Sequence, residues 1–187
     1  MICSHERPVT VSDLMKLGQS RDWPLCELAY WIGVRPKDCT TYEEEHRLNP
    51  GMLVHHDVAL VVRWLDRYPS AAMPQSVPMP GVFLKRLRQV LEGERLNGIW
   101  FATALGRHHS IGSRWWRGKA AAQPTVRRAI ALIDDPDPET LRVNWRRWCT
   151  LARMEARLRG TPDLMASHQW ETDRFPRENP AFENQHA

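Results

Sequence analysis

Three features of the 187-residue sequence predict an all-α protein. Apolar residues recur at steps of three and four in several segments, which is the spacing of one helix face. Proline-rich breaks separate these segments, and proline cannot continue a helix. No segment shows a convincing apolar–polar alternation of the kind that marks a half-buried strand. The hydrophobic fraction of 42% is sufficient for a packed core, so we expect a folded chain.

The breaks divide the sequence into five parts. We expect a first unit over residues 1–69, a proline-rich linker over 70–80, a second unit over 81–136, a C-terminal helix over 137–160 and a polar tail over 161–187. The linker composition favours an extended, semi-rigid segment. We expect the two units to fold separately and the tail to be mobile or loosely docked.

Amphipathic helices are clearest in residues 54–68, 124–133 and 141–158. Their apolar positions are Val54, Val58, Val61, Val62, Leu65, then Val126, Ile130, Ile133, then Leu141, Trp145, Trp148, Leu151 and Leu158. Asp137 can cap the third helix, and Pro138 suits its first position. This helix is expected either to close the second unit or to pair with a second copy of the chain.

Each unit also contains a pattern typical of two helices joined by a tight turn. Such a pair needs a small residue where the helices cross and a residue that tolerates positive φ at the turn. Ala29 and Gly33 meet these needs in the first unit, and Ala102 and Gly106 repeat the spacing in the second. Pro36 is suited to begin the second helix of the first pair.

The two patterns together resemble the lambda-repressor/Cro-like (Xre-type) family of helix-turn-helix DNA-binding proteins, over roughly two-thirds of the chain. The matching residues are Phe101, Ala102, Gly106, Ser113, Trp115, Gly118 and Pro124 in the second unit, and Leu28, Ala29, Gly33, Val34, Thr40, Tyr42, Glu43 and Pro50 in the first. The resemblance implies two small lambda-repressor-like helix-turn-helix bundles in tandem, followed by the C-terminal amphipathic helix. It also implies double-stranded DNA as the partner.

Three positions depart from the family pattern. Glu45 replaces the usual closing glycine, and it ends an acidic run that would repel phosphate. Arg107 stands at a usually apolar position after the turn glycine. Gly112 stands where an inward aliphatic residue is usual, and we expect Ile111 to take over that burial on a slightly shifted helix.

The family places base-reading side chains at the start and outer face of the second helix of each pair. In the second unit this implies base contacts from His109, Ser110 and Arg114, with Arg114 suited to guanine. Phosphate contacts are implied for Ser113, Arg117 and Lys119. The corresponding residues of the first unit are Arg35, Pro36, Lys37, Thr40 and Thr41. Arg114 and Lys119 have a plainer alternative role as solvated surface charges. We expect Trp115 in the core and Trp116 at its edge.

The charge distribution supports a phosphate-binding middle third. Residues 70–136 carry ten Lys or Arg against four Asp or Glu, whereas residues 1–69 carry eight against ten. A concentrated positive region is the electrostatic signature of a protein that binds a phosphate backbone.

Other functional classes find little support in the sequence. No nucleophile elbow, phosphate loop or paired-carboxylate site is recognisable, so an enzyme, a cofactor and a metal are not expected. The His55-His56 and His108-His109 pairs lack a third ligand at a recognisable spacing. With no secretory leader or membrane-spanning run and no C-x-x-C pair, we expect a cytoplasmic protein, without membrane contact, whose four cysteines are reduced core residues.

Three functions remain open at this point. The first is a sequence-specific DNA-binding regulator of transcription. The second is a non-catalytic DNA-binding accessory factor of a plasmid or phage nucleoprotein complex. The third is a protein-interaction scaffold built on the same folds, in which the first unit holds a protein partner.

Overall fold

The computed structural model describes residues 2–70, 77–94 and 96–170, and these ranges are all-helical. The helices are α1 (Val11–Ser20), α2 (Leu25–Ile32), α3 (Pro36–Leu48), α4 (His56–Arg67), α5 (Pro80–Val90), α6 (Gly98–Ala104), α7 (Ile111–Trp116), α8 (Pro124–Ile133), α9 (Pro138–Leu158) and α10 (Leu164–Ser167). The predicted all-α class is confirmed. Most of the predicted linker, residues 71–76, and residues 171–187 of the predicted tail lie outside the described residues.

The helix boundaries follow local chemistry. A proline stands at the start of α3, α5, α8 and α9, where its missing N–H leaves no hydrogen bond unmade. Thr10 and Asp13 form a reciprocal capping box at the start of α1. Asp137 caps α9 as predicted, accepting a hydrogen bond from the Thr140 N–H at 2.9 Å.

Helix α9 lies at the centre of the molecule. It packs against α4 of the first unit and against α5, α6 and α8 of the second. Trp145 and Trp148 are buried, and the Trp148 indole N–H donates to the Ala104 carbonyl at 2.8 Å. The chain itself therefore covers the apolar face of this helix, which agrees with the expected closure of the second unit; pairing of the helix with a second copy stays a prediction.

The two units share one hydrophobic core rather than forming separate ones. Helix α4 packs on both α8 and α9, and α2 packs on α8. Every residue of α4 from His56 to Leu65 is buried, because the run from Val58 to Val62 is apolar on all sides of the helix. The two units are therefore packed against each other, and separate folding of either one stays a prediction.

The chain after α9 is docked as far as it is described, contrary to the expected loose tail. Thr161, Leu164 and Trp170 are buried. The Trp170 indole donates to the Thr103 carbonyl at 3.1 Å, and its ring stacks on His56 with centroids 4.8 Å apart. These contacts fix residues 161–170 against both units.

A buried ionic network joins the N-terminal segment, α4 and α9. The Glu155 carboxylate accepts hydrogen bonds from Arg63 Nε at 2.6 Å, Arg159 Nε at 2.7 Å and the Val9 N–H at 3.2 Å. The two guanidinium groups also donate, at 2.8 Å each, to the backbone carbonyls of Ser4, Arg7 and Val54. Because all three charges are buried and multiply bonded, each depends on the others.

Candidate nucleic-acid interface

The two predicted turns have the same backbone geometry. Gly33 and Gly106 both adopt left-handed conformations, with φ of 72° and 75°. In each turn the N–H of the next residue donates at 3.0 Å to the carbonyl of a fully buried alanine. The pairs are Val34 with Ala29 and Arg107 with Ala102. The predicted roles of these glycines and alanines are confirmed.

The second helices of the two pairs differ in length because of one residue. Helix α7 has 6 residues and ends in a turn at Gly118, whose φ is 67°. The Lys119 N–H closes that turn on the Arg114 carbonyl at 2.8 Å. At the corresponding position Glu45 continues the helix, and α3 extends to 13 residues. Loss of the closing glycine thus lengthens α3.

Gly112 is itself the inward-facing residue of α7. It is buried against Gly98, and a Cβ at position 112 would overlap the Gly98 carbonyl oxygen. Ile111 is only partly buried at the edge of the core, so the expected shift of burial to Ile111 is wrong. The glycine is required because the backbones of α6 and α7 touch.

The two adjacent tryptophans of α7 have the predicted placements. Trp115 is buried and meets Phe101 edge-to-face, with ring centroids 6.1 Å apart. Trp116 lies at the edge of the core with its ring partly exposed. Lys85 and Arg88 of α5 lie over the Trp116 ring, at 5.6 and 5.1 Å from its centroid.

The predicted contact residues of the second unit lie on α7 and its two flanking segments. Ser110, Ser113, Arg114, Arg117 and Lys119 are exposed, and His109 is half-buried. Arg117 Nε donates to the Ser113 carbonyl at 3.1 Å at the end of α7. Within the described ranges, Arg114, Arg117 and Lys119 form no ion pair. The charges of this surface are therefore not neutralised by carboxylates of the described chain.

The corresponding surface of the first unit is neutralised by its own acids. Arg35 forms a bidentate pair with Asp38, through Nε at 2.9 Å and Nη2 at 2.8 Å, and this hydrogen bonding lowers the pKa of Asp38. Arg47 pairs with Glu43 at 3.4 Å. Lys37 is exposed without an ion-pair partner among the described residues.

Two hydroxyl groups on the exposed surface of α3 already form hydrogen bonds within that helix. Thr40 and Thr41 are exposed on α3, and their hydroxyls donate to the carbonyls of Pro36 and Lys37 at 3.3 and 3.1 Å. To bind a phosphate oxygen, either hydroxyl would first have to break its hydrogen bond to the carbonyl of its own helix.

Sequence reasoning missed a reciprocal contact between the two units. The Gly33 carbonyl accepts a hydrogen bond from Thr125 Oγ1 at 2.9 Å, and Thr125 is the second residue of α8. In the other direction Gly106 lies against Asp57, the second residue of α4, so that an added Cβ would be 2.6 Å from the Asp57 Cα. We call this pair of contacts the interlock. Each turn packs on the start of the other unit's last helix.

Arg107 was the one sequence signal of the interlock. Its guanidinium pairs with the buried Asp57 carboxylate at 3.1 Å, which explains a charge at a usually apolar position. Burial tends to raise the pKa of Asp57, but the hydrogen bond from His55 and the charge of Arg107 lower it overall. Asp57 therefore remains an anion, held between the Arg107 guanidinium and the His55 ring.

The remaining titratable groups form no recognisable chemical centre in the described ranges. No group of three potential His, Cys, Asp or Glu ligands comes together there. His56 is buried, and this burial holds its pKa well below the ordinary value. Cys3, Cys39 and Cys149 are buried as predicted, whereas Cys26 is exposed, which corrects the expectation for that residue.

Comparison of the chain with protein-family models, curated proteins and solved structures found no match. None of the described helices combines the length and apolar character needed to cross a bilayer.

Proposed function

We propose that the protein binds double-stranded DNA sequence-specifically and regulates transcription, with α6 and α7 as its main contact. The observation that carries this proposal is the exposed, unpaired set of Arg114, Arg117 and Lys119 on α7 and the loop that follows it. A protein surface that keeps several cations free of its own carboxylates is suited to phosphate oxygens.

The pairs α2–α3 and α6–α7 are, in this proposal, helix-turn-helix elements of the lambda-repressor-like kind. The matched turn geometry at Gly33 and Gly106 supports this assignment. So does the packing: α3 contacts mainly α1 and α2, and α7 contacts mainly α5 and α6. Each second helix is thus peripheral, as a helix that enters the major groove must be.

The first unit has a secondary role in this proposal. Its α3 surface has Arg35 and Arg47 paired internally and carries Glu43, Glu44 and Glu45. These charges favour either a weak contact with an adjacent half-site or a protein partner. A protein partner would fit an accessory factor of a plasmid or phage nucleoprotein complex. The DNA sites that the protein selects distinguish such a factor from a transcription regulator. Palindromic promoter sites support a regulator, whereas non-palindromic sites at a transfer origin support an accessory factor.

DNA affinity is expected to fall steeply with salt. If about six phosphates are neutralised, a plot of the logarithm of the binding constant against the logarithm of the salt concentration should have a slope of about −5, because each contact releases condensed counterions. Fluorescence anisotropy with a labelled duplex at several salt concentrations measures the slope. A slope near zero, or no binding at low salt, would contradict the DNA proposal and favour the protein scaffold.

Arg114 and Lys119 are expected to behave differently when each is replaced by alanine. Arg114→Ala should weaken binding to the preferred site by about 1–3 kcal/mol and relax the preference at one base pair, because a bidentate contact to guanine is lost. Lys119→Ala should weaken all sequences alike and reduce the salt slope by about 1.

The contrast is informative because both substitutions remove one exposed positive charge. Affinities for a site selected from a random DNA pool and for a scrambled duplex provide the measurement. Equal losses on the two duplexes for both variants would make Arg114 a phosphate contact only, and base reading would then fall to Lys37 and Thr41.

A further inference from the structure

Helix α5 and the end of α7 enclose a groove of about 550 Å³. At its base the two helices touch backbone to backbone, since a Cβ on Gly81 would overlap the Trp115 carbonyl oxygen. The groove, which we call the α5–α7 groove, is lined chiefly by Met79, Val82, Lys85, Trp116 and Arg117. Its walls are therefore two directly packed helices.

Three large apolar side chains around this groove are exposed to water. The exposed fractions are 54% for Met79, 60% for Val82 and 39% for Trp116. Single exposed apolar residues are normal on a protein surface, but several around one concave site mark an interaction surface. Tryptophan in a partly enclosed position is also a frequent energetic centre of protein interfaces.

The rim of the groove is positively charged. Lys85 and Arg88 lie over the Trp116 ring, and Arg117 lines the end of the groove. None of these three cations has a carboxylate partner among the described residues. The complementary ligand is therefore one that carries negative charge beside an apolar group.

A peptide fits this combination better than duplex DNA does. A DNA backbone would satisfy the cations, but its phosphates and sugars offer no bulky apolar group to cover Met79, Val82 and the Trp116 ring. An acidic peptide segment supplies both the apolar group and the negative charge, with one large side chain in the groove and carboxylates against the rim.

The groove borders the proposed DNA contact and shares Arg117 with it, but it includes neither Arg114 nor Lys119. Trp116 follows Arg114 by two residues, so the two side chains leave α7 about 200° apart. A ligand over Trp116 would leave Arg114 free.

We propose that the α5–α7 groove binds an acidic segment of another protein, which places a bulky apolar side chain between Val82 and Trp116 and carboxylates against Lys85 and Arg88. This goes beyond DNA binding and does not depend on it. It gives the protein a surface for a protein partner beside the proposed DNA contact.

Selection from a random peptide library displayed on phage tests the proposal on the full chain. The library is panned on the wild-type protein and depleted on the Val82→Arg variant, whose side chain fills the groove. Enriched peptides should combine aspartate or glutamate with leucine or an aromatic residue. Absence of any such enrichment overturns the proposal.

Affinities of one enriched peptide, synthesised with a fluorescent label, then separate the two parts of the site. The double variant Lys85→Gln, Arg88→Gln should bind at least about tenfold more weakly, equivalent to about 1.4 kcal/mol. Val82→Arg should also weaken binding by about tenfold or more, although its added positive charge would strengthen a purely electrostatic attraction. Arg127→Gln, which removes an exposed arginine of α8, should leave the affinity unchanged.

Two results would overturn the groove as a peptide site. One is full peptide affinity in the Val82→Arg variant while its thermal unfolding matches the wild type. The other is displacement of the peptide by a saturating selected duplex, which would assign the groove to the DNA surface. Peptide binding that survives Arg114→Ala supports the groove whether or not that variant still binds DNA.

Discussion

Replacement of Glu155 by alanine is expected to lower the free energy of unfolding by about 3–5 kcal/mol. The substitution leaves the guanidinium groups of Arg63 and Arg159 buried without their shared carboxylate, and it removes the acceptor of the Val9 N–H. Uncompensated buried charge costs far more than the lost attraction of the pair itself. Urea unfolding followed by circular dichroism measures the change.

Glu139 on the same helix provides the matched control. Its carboxylate pairs with Arg142 three residues later, but its side chain is 65% exposed. Glu139→Ala should therefore change the free energy of unfolding by no more than about 1 kcal/mol. Similar losses for the two variants would show that burial of the network does not determine its contribution.

Gly106→Ala is expected to destabilise the protein by about 2–5 kcal/mol. A left-handed conformation costs a residue with a Cβ about 1–2 kcal/mol. The Cβ would also meet the start of α4, 2.6 Å from the Asp57 Cα and 2.8 Å from its N, and forced overpacking adds about 1–3 kcal/mol. The midpoint and slope of urea unfolding provide the measurement.

Gly118→Ala separates the two contributions. Gly118 has a similar φ of 67°, but an added Cβ there would meet nothing within 4 Å. This variant should lose only the conformational part, about 1–2 kcal/mol. An equal loss at both positions would mean that contact between the units adds nothing at Gly106, and the interlock would not contribute to stability.

The local elements of the fold were predictable because local chemistry determines them. Apolar spacing located α4, α8 and α9, and Pro124 and Pro138 marked the starts of α8 and α9. The turns at Gly33 and Gly106 followed from their alanine partners four residues earlier.

The relation between the units was not predictable, because it depends on contacts far apart in the sequence. The proline-rich composition of residues 70–80 favoured separate units, yet α4 is surrounded by α8 and α9. Residues 161–170 look polar overall, but Leu164 and Trp170 supply large apolar surfaces that dock. The overall polarity of a segment does not indicate which of its side chains become buried.

The exposure of the candidate contact residues was predictable from the sequence, but the charge balance around them was not. Exposure of Arg114, Arg117 and Lys119 follows from the inward positions of Gly112 and Trp115 on a short helix. Pairing of Arg35 with Asp38 depends on side-chain geometry at the start of α3, which composition does not give.

Helix α9 is synthesised after both of the units that it joins. The sides of α4 that pack on α9 stay uncovered until α9 has left the ribosome. The Val9 N–H likewise has no acceptor until Glu155, 146 positions later, has been synthesised. Contacts of such long range slow folding and lengthen the exposure of apolar surface. The first unit therefore reaches its packed state only after α9 is available, although most of its own helices precede the proline-rich segment.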